Sequence, residues 1–252
     1  MAAVTELLSR IPILTIIYIM PMISVILLLF IPGKNLRAVR LVSLIPVVIS
    51  FILSVLLFFA YDYKAGGLQF VEWHPWIPGI GVNYFMAVNG MNVALVMLTG
   101  VIIVAGVLAS WGLETRAKEF FMLLLTLTTG VFGVFMTYNL FLFFFFYEIA
   151  VLPMYILIGA WGTGDREYSA MKLTLYLLVG SALILAGILG LYFGAGLNTF
   201  DFDILEKFVF QEKFQIIFFP ILFTGFAILA ALWPFHTWSP DGHSSAPTAV
   251  SM

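Results

Sequence analysis

Apolar runs of about 20 residues, the length that crosses the hydrocarbon of a bilayer, follow one another along this chain with polar stretches between them. There are seven such runs, at residues 11–32, 41–61, 91–111, 120–138, 139–160, 168–193 and 215–233. They predict seven membrane-spanning helices, with a polar segment at 234–247 after the seventh. The expected architecture is all-α: one polytopic transmembrane helix bundle over residues 1–252, with no strand pattern and no soluble domain. Two connectors are long, Asp62–Gly90 and Gly194–Phe214. In the first, Trp73 and Trp76 suit the headgroup layer. The even spacing reflects bilayer thickness, and no sequence repeat underlies it. The first run is too long for the core of a signal peptide and lacks a small-residue cleavage site, so it is expected to remain as a span.

Prolines change this picture at two places. Pro153 removes a backbone donor within span five and predicts a bend there. Pro220, Pro234, Pro240 and Pro247 forbid one continuous helix from span seven onward, so the seventh is expected to be broken.

Composition narrows the function classes. With 63% hydrophobic and 10% charged residues the chain is a membrane protein, and the lipid bilayer is its first partner. A net charge of −2 and no basic stripe give no nucleic acid a surface to follow. Cysteine is absent, which excludes thiolate-held iron–sulfur clusters, Cys zinc sites and disulfides. No glycine-rich nucleotide-binding motif occurs. The connectors after spans one, three and five carry Lys34, Arg37, Arg40, Arg116, Lys118 and Arg166, while the opposite face carries Arg10, Lys64, Lys207 and Lys213. Basic residues gather on the cytoplasmic side, so the N-terminus is expected outside.

Glu148 is the candidate for chemistry. It stands near the middle of span five, where a carboxylate costs a few kcal/mol or more to insert, and such residues mark ion or proton sites. Lys172, about four residues into span six, either snorkels to the interface or takes part in the site. His236, His243 and Asp241 lie in the Pro-broken segment. Imidazoles titrate near neutral pH, so this segment either passes protons or forms an ordinary polar loop. His74, between Trp73 and Pro75, reads as a solvated loop residue.

Several stretches together resemble one known family. Tyr147–Tyr155 reads YEIAVLPMY and continues to Gly159, Trp161 and Gly162, close to the family's "FFEIALIPMYFLIGIWGG". Arg166–Lys172, REYSAMK, is similar to "REYAAIKF", and Thr199–Asp201 to "TFD". Trp233–His243, WPFHTWSPDGH, resembles "FPFHTWLPDAH". The chain is identified as a member of the antiporter-like membrane subunits of the respiratory NADH:quinone oxidoreductase, of the chain M or mitochondrial chain 4 type.

The resemblance implies half of an antiporter-like fold and a proton-translocating module with a path through Glu148, Lys172, His236 and His243. It implies no cofactor on this chain, with NADH, FMN, Fe–S clusters and quinone held by partner subunits. The partners implied are the other membrane subunits of the complex, in a bacterial cytoplasmic membrane. In the family the span-five glutamate pairs with a lysine on the broken span seven, and pairing and its loss move the proton. Here that lysine position is Leu229, and the proline two residues beyond it is Ala231. Without its cation, Glu148 is expected to hold a proton at neutral pH, unless Lys172 takes over the pairing. The family also has further spans with a later lysine and glutamate, so a partial or split product, or an N-terminal half, is expected. Alone it is not expected to form a complete transmembrane path. A subunit of a multisubunit Na⁺/H⁺ antiporter and a non-pumping scaffold remain as alternatives, the latter favoured by Leu229.

Overall fold

The computed structural model describes residues 11–252, and Arg10 lies outside the described residues. Among the described residues seven helices are long and apolar enough to cross a membrane: α1 (Ile13–Phe30), α2 (Leu36–Ala60), α3 (Asn92–Ala109), α4 (Ala117–Met136), α5 (Leu140–Trp161), α6 (Arg166–Ala195) and, after the short α7 (Phe202–Leu205), α8 (Glu212–Leu229). Sequence neighbours pack side by side, and α1 also packs on α4. The helix bodies coincide with the seven apolar runs, while their ends differ by a few residues because polar caps extend them. Asn35 Oδ1, for example, accepts from Ala38 N–H at 3.1 Å and starts α2 five residues before its apolar run.

Proline is accommodated where another helix repairs the loss. Pro21 sits inside α1 and leaves the Ile17 carbonyl without its helical donor. Ser50 Oγ on α2 donates to that carbonyl at 2.8 Å. A buried serine thus has a reason to stand in an otherwise apolar helix.

The expectation of no strand is corrected by the connector between α2 and α3. It folds as an antiparallel hairpin of β1 (Gln69–Ile77) and β2 (Val82–Val88), turned by a short 3-10 segment and by Gly81 at φ +67°. A lone two-stranded hairpin is marginal in water, and this one is held by the bundle. Met86, Ala87 and Val88 are fully buried. Glu72 in β1 accepts from Leu14 N–H at 2.8 Å, from Thr15 N–H at 3.2 Å and from the Thr15 hydroxyl, which caps the start of α1. The Thr15 hydroxyl also meets Tyr84 Oη, which donates to Tyr18 at 3.3 Å.

Burial raises the Glu72 carboxyl above its ordinary range, and its hydrogen bonds and nearby His74 only partly offset this. An acid raised in the folded state binds more protons folded than unfolded, so its contribution falls as pH rises through and above the usual carboxylate range. Thermal unfolding of the chain in lipid nanodiscs should therefore lose stability from acidic to neutral pH in a part that Glu72→Gln removes. An identical slope in that variant would contradict the assignment.

Asp201 ties the same end of the molecule together. It is 2% exposed and accepts from Asn83 Nδ2 at 2.6 Å, Asn139 Nδ2 at 2.8 Å and Trp73 Nε1 at 3.4 Å, joining hairpin, α4–α5 turn and α6–α8 connector. Asn139 in turn caps α5, accepting from Phe141 and Leu142 N–H. Asp201→Ala would strand buried donors at a cost of about 3 kcal/mol. We expect a lower unfolding temperature and faster proteolysis of the hairpin in that variant.

The opposite end is basic. Lys118 Nζ donates to the Leu29 carbonyl at 3.1 Å, Arg40 to Leu113 O at 3.3 Å and Arg166 to Ala160 O at 3.2 Å, meeting carbonyls at or near helix C-termini.

Candidate proton site at the break in the seventh helix

Helix α8 stops at Leu229, four residues short of the predicted end, and the stop is made by a Schellman motif. Leu232 N–H returns to Ala227 O at 2.8 Å and Ala231 N–H to Ile228 O at 3.2 Å. Ala231 takes the left-handed conformation, φ +52°, at the position where glycine is usual. Proline, the residue of the family wording, cannot reach that φ. After a turn through Pro234, whose peptide bond to Trp233 is cis, the chain resumes as α9 (Trp238–Ser245) and ends in α10 (Thr248–Ser251). Pro240 is tolerated in the first turn of α9, where no helical donor is lost.

The polar segment is therefore not an ordinary loop. Helix α9 lies along the start of α6: Tyr176 Oη meets Thr237 Oγ1 at 3.2 Å, Lys172 Nζ donates to Asp241 at 2.7 Å, and Ser245 Oγ donates to Ser169 Oγ at 2.8 Å. Trp238 is buried and donates from Nε1 to Ile228 O at 2.9 Å, which fastens α9 across the gap to α8. Together α8 and α9 form one discontinuous crossing.

The register places Glu148 at that discontinuity. Helices α5 and α8 run in the same direction and meet at Phe143 and Phe226, with ring centroids 6.1 Å apart. Carried one turn further along both helices, that register sets Tyr147 and Glu148 level with Ala230 and Ala231. Leu229 fills this level, its Cδ1 only 2.4 Å from where a Cβ on Gly180 of α6 would lie. Counting from Leu140, Glu148 is about 12 Å along α5, well inside the hydrocarbon. Its Oε1 is buried and has no hydrogen-bond partner among the described residues, and the same holds for Tyr147 Oη beside it. Pro153 lies inside α5 as expected and removes the N–H that would meet the Ile149 carbonyl, next to the acid.

The other predicted site residues are placed differently. Lys172 pairs with Asp241 and sits 5.6 Å over the Tyr168 ring, so it does not replace the missing partner of Glu148. The reason is α9, which runs antiparallel to α6 and brings Asp241 to the lysine first. His236 and His243 are exposed on this chain, and His243 Nδ1 lies 3.2 Å from Ser251 Oγ. The structure brings neither imidazole to Glu148. His74 is exposed as expected, but within β1, stacked on Tyr84. Two participants escaped sequence reasoning. Asp241 needed the α6–α9 register, and Tyr147 reads as one more aromatic in an aromatic run.

Comparison with known proteins fits this arrangement. Residues 137–252 match the family model described as NADH:quinone oxidoreductase/Mrp antiporter, TM. NADH-quinone oxidoreductase subunit M of Rhodobacter capsulatus is 36% identical over 227 residues, 86% of this chain and 44% of that protein. NADH-ubiquinone oxidoreductase chain 4 of Arabidopsis thaliana is 35% identical over 92% of this chain and 47% of its own length. A chain of respiratory complex I from Thermus thermophilus with bound NADH superposes with a TM-score of 0.82 at 26% identity, covering 96% of this chain and 49% of that one. An archaeal membrane-bound sulfane sulfur reductase chain shares the fold alone, with a TM-score of 0.81 at 20% identity. The chain spans about half the length of the relatives it matches. Residues 137–252 thus carry the membrane domain that this family model describes, and over most of its length the chain is similar to subunit M and chain 4 proteins of NADH:quinone oxidoreductase.

Proposed function

We propose that this chain serves as a proton-translocating membrane subunit of an NADH:quinone oxidoreductase. Electron transfer from NADH to quinone takes place in partner subunits, which hold the NADH, FMN, Fe–S and quinone sites, and this chain supplies protein for the proton path only. Its neighbours are the other membrane subunits of that complex. The likeness to the Rhodobacter and Thermus proteins supports a bacterial cytoplasmic membrane, and the basic end of the bundle supports an N-terminus facing the periplasm.

The observation that carries this reading is the Glu148 carboxyl, with one oxygen sealed and unpaired at the depth where α8 breaks. A broken helix within the bilayer is tolerated where it lines a protein or water cavity. An acid beside it has both the cost and the surroundings of a proton carrier. Lys172, paired with Asp241, and the two histidines of the α8–α9 segment lie toward the cytoplasmic end, where protons would enter. The Leu229 substitution favours a second reading, a scaffold that bridges neighbours without pumping.

Proteoliposomes carrying the assembled complex separate these readings from a sodium antiporter. Proton uptake should follow NADH-linked electron flow and should not be driven by an imposed sodium gradient. Uptake driven by sodium alone would overturn the assignment.

A further inference from the structure

Two polar atoms in the bundle interior are left without partners side by side, and they are on consecutive residues. Tyr147 Oη and Glu148 Oε1 are both buried and unpartnered among the described residues. Buried polar groups find a partner in protein or in ordered water. Consecutive helical residues point about 100° apart, so a direct bond between the two is not made, and the partner that each would find is a water. The break in α8 adds acceptors at the same depth. No hydrogen-bond donor among the described residues returns to the Leu229 or Ala230 carbonyl after the Schellman turn.

Tyr147 also faces the right way. It follows Phe143 by four residues, so it lies on the same side of α5, and Phe143 is the residue that meets α8 at Phe226. Tyr147, Leu229 and Ala231 pack against one buried cluster. Tyr147 therefore lies on the side of α5 that faces α8, where the resemblance implies a cation at position 229 and this chain carries leucine. The wording to which this stretch is similar has phenylalanine before the glutamate, so the hydroxyl is present in the chain that lacks the lysine.

We infer that the Tyr147 hydroxyl takes the place of that cation, as the hydrogen-bonding relay of Glu148 through ordered water at the α8 break. When Glu148 is ionised the hydroxyl donates toward it. When Glu148 is protonated the hydroxyl rotates and accepts. The phenol keeps its own proton count throughout, so the only proton gained or lost at the site belongs to the carboxyl and the water beside it. A neutral hydroxyl suits an apolar site better than a lone ammonium, whose burial is costly without a fixed counter-charge. The role in pumping rests on the functional reading above, whereas the hydrogen bond itself does not.

The test uses three variants: Tyr147→Phe, which keeps the ring and its packing, Glu148→Gln, and Leu229→Lys in the Tyr147→Phe background. Infrared spectra of the full chain in lipid identify the Glu148 carboxyl band by its loss in Glu148→Gln. Tyr147→Phe should shift that band, because a hydrogen bond is removed. In the assembled complex, Tyr147→Phe should lower NADH-driven proton uptake about tenfold, the size expected for one hydrogen bond to an ionisable group, and Leu229→Lys should restore it. An unmoved band overturns the inference, and so does unchanged uptake in Tyr147→Phe when Glu148→Gln lowers it. If Glu148→Gln itself leaves uptake unchanged, the functional reading fails, and the band shift alone decides the hydrogen bond.

Discussion

Gly130→Val is expected to destabilise the folded bundle by about 3 kcal/mol. A Cβ at Gly130 of α4 would lie 2.6 Å from Phe146 O, 2.7 Å from Ala150 N and 2.9 Å from Ala150 Cβ on α5. Two of these atoms are backbone and cannot swing aside. Three residues on, Gly133 stands 2.2 Å, on the same construction, from the Phe146 ring. Helices in a membrane associate through such small-residue contacts, since lipid gives apolar side chains no reason to prefer protein. Forcing valine into this contact costs about 3 kcal/mol, which for a chain of this size lowers the unfolding temperature by about 10 °C. Phe146 and Ala150 bracket Glu148, so the displacement also moves the acid. Gly79→Ala is the control, because a Cβ there meets nothing within 4 Å. Near-equal unfolding temperatures for Gly130→Val and wild type would contradict the packing.

A second large effect is expected from the pair of positions 148 and 229. Leu229→Lys places a cation at the depth of Glu148, and with the acid present the chain should accept it. In the Glu148→Gln background the same lysine has no counter-charge. Removing one partner of a buried pair is costly, about 3 kcal/mol or more. A double-mutant cycle on unfolding should therefore show a coupling of about 2 kcal/mol or more between the two positions. Additive effects would mean that the side chains at 148 and 229 do not face one another across the break.

Much of this arrangement was readable from residue order because lipid leaves a chain few choices. Every span had to be a helix of fixed length, so the seven apolar runs located seven helices. An acid among Phe141–Phe146 and Ile149–Leu152 had to be a site or a serious liability. The hairpin was hidden for the opposite reason. β1 contains Pro75 and is largely exposed, so it lacks the strict alternation of a half-buried strand, and its fold depends on Glu72 reaching α1 and Asp201 reaching Asn83. Those partners lie 58 and 118 residues away in sequence. The destination of Lys172 was hidden likewise. Its partner Asp241 becomes a neighbour only after α8 stops at Leu229 and α9 turns back along α6. The motif to which this segment is similar located the break, but not the Schellman turn at Ala231 that makes it here.

The central claim is that an acid in the membrane interior, without a fixed cation, carries protons for a redox-driven complex. The proton-to-electron ratio of the assembled complex in proteoliposomes, compared between wild type and Glu148→Gln, tests it most directly. The account predicts a lower ratio in the variant while assembly and electron transfer are retained. An unchanged ratio would contradict it and leave the chain a bridge between its neighbours.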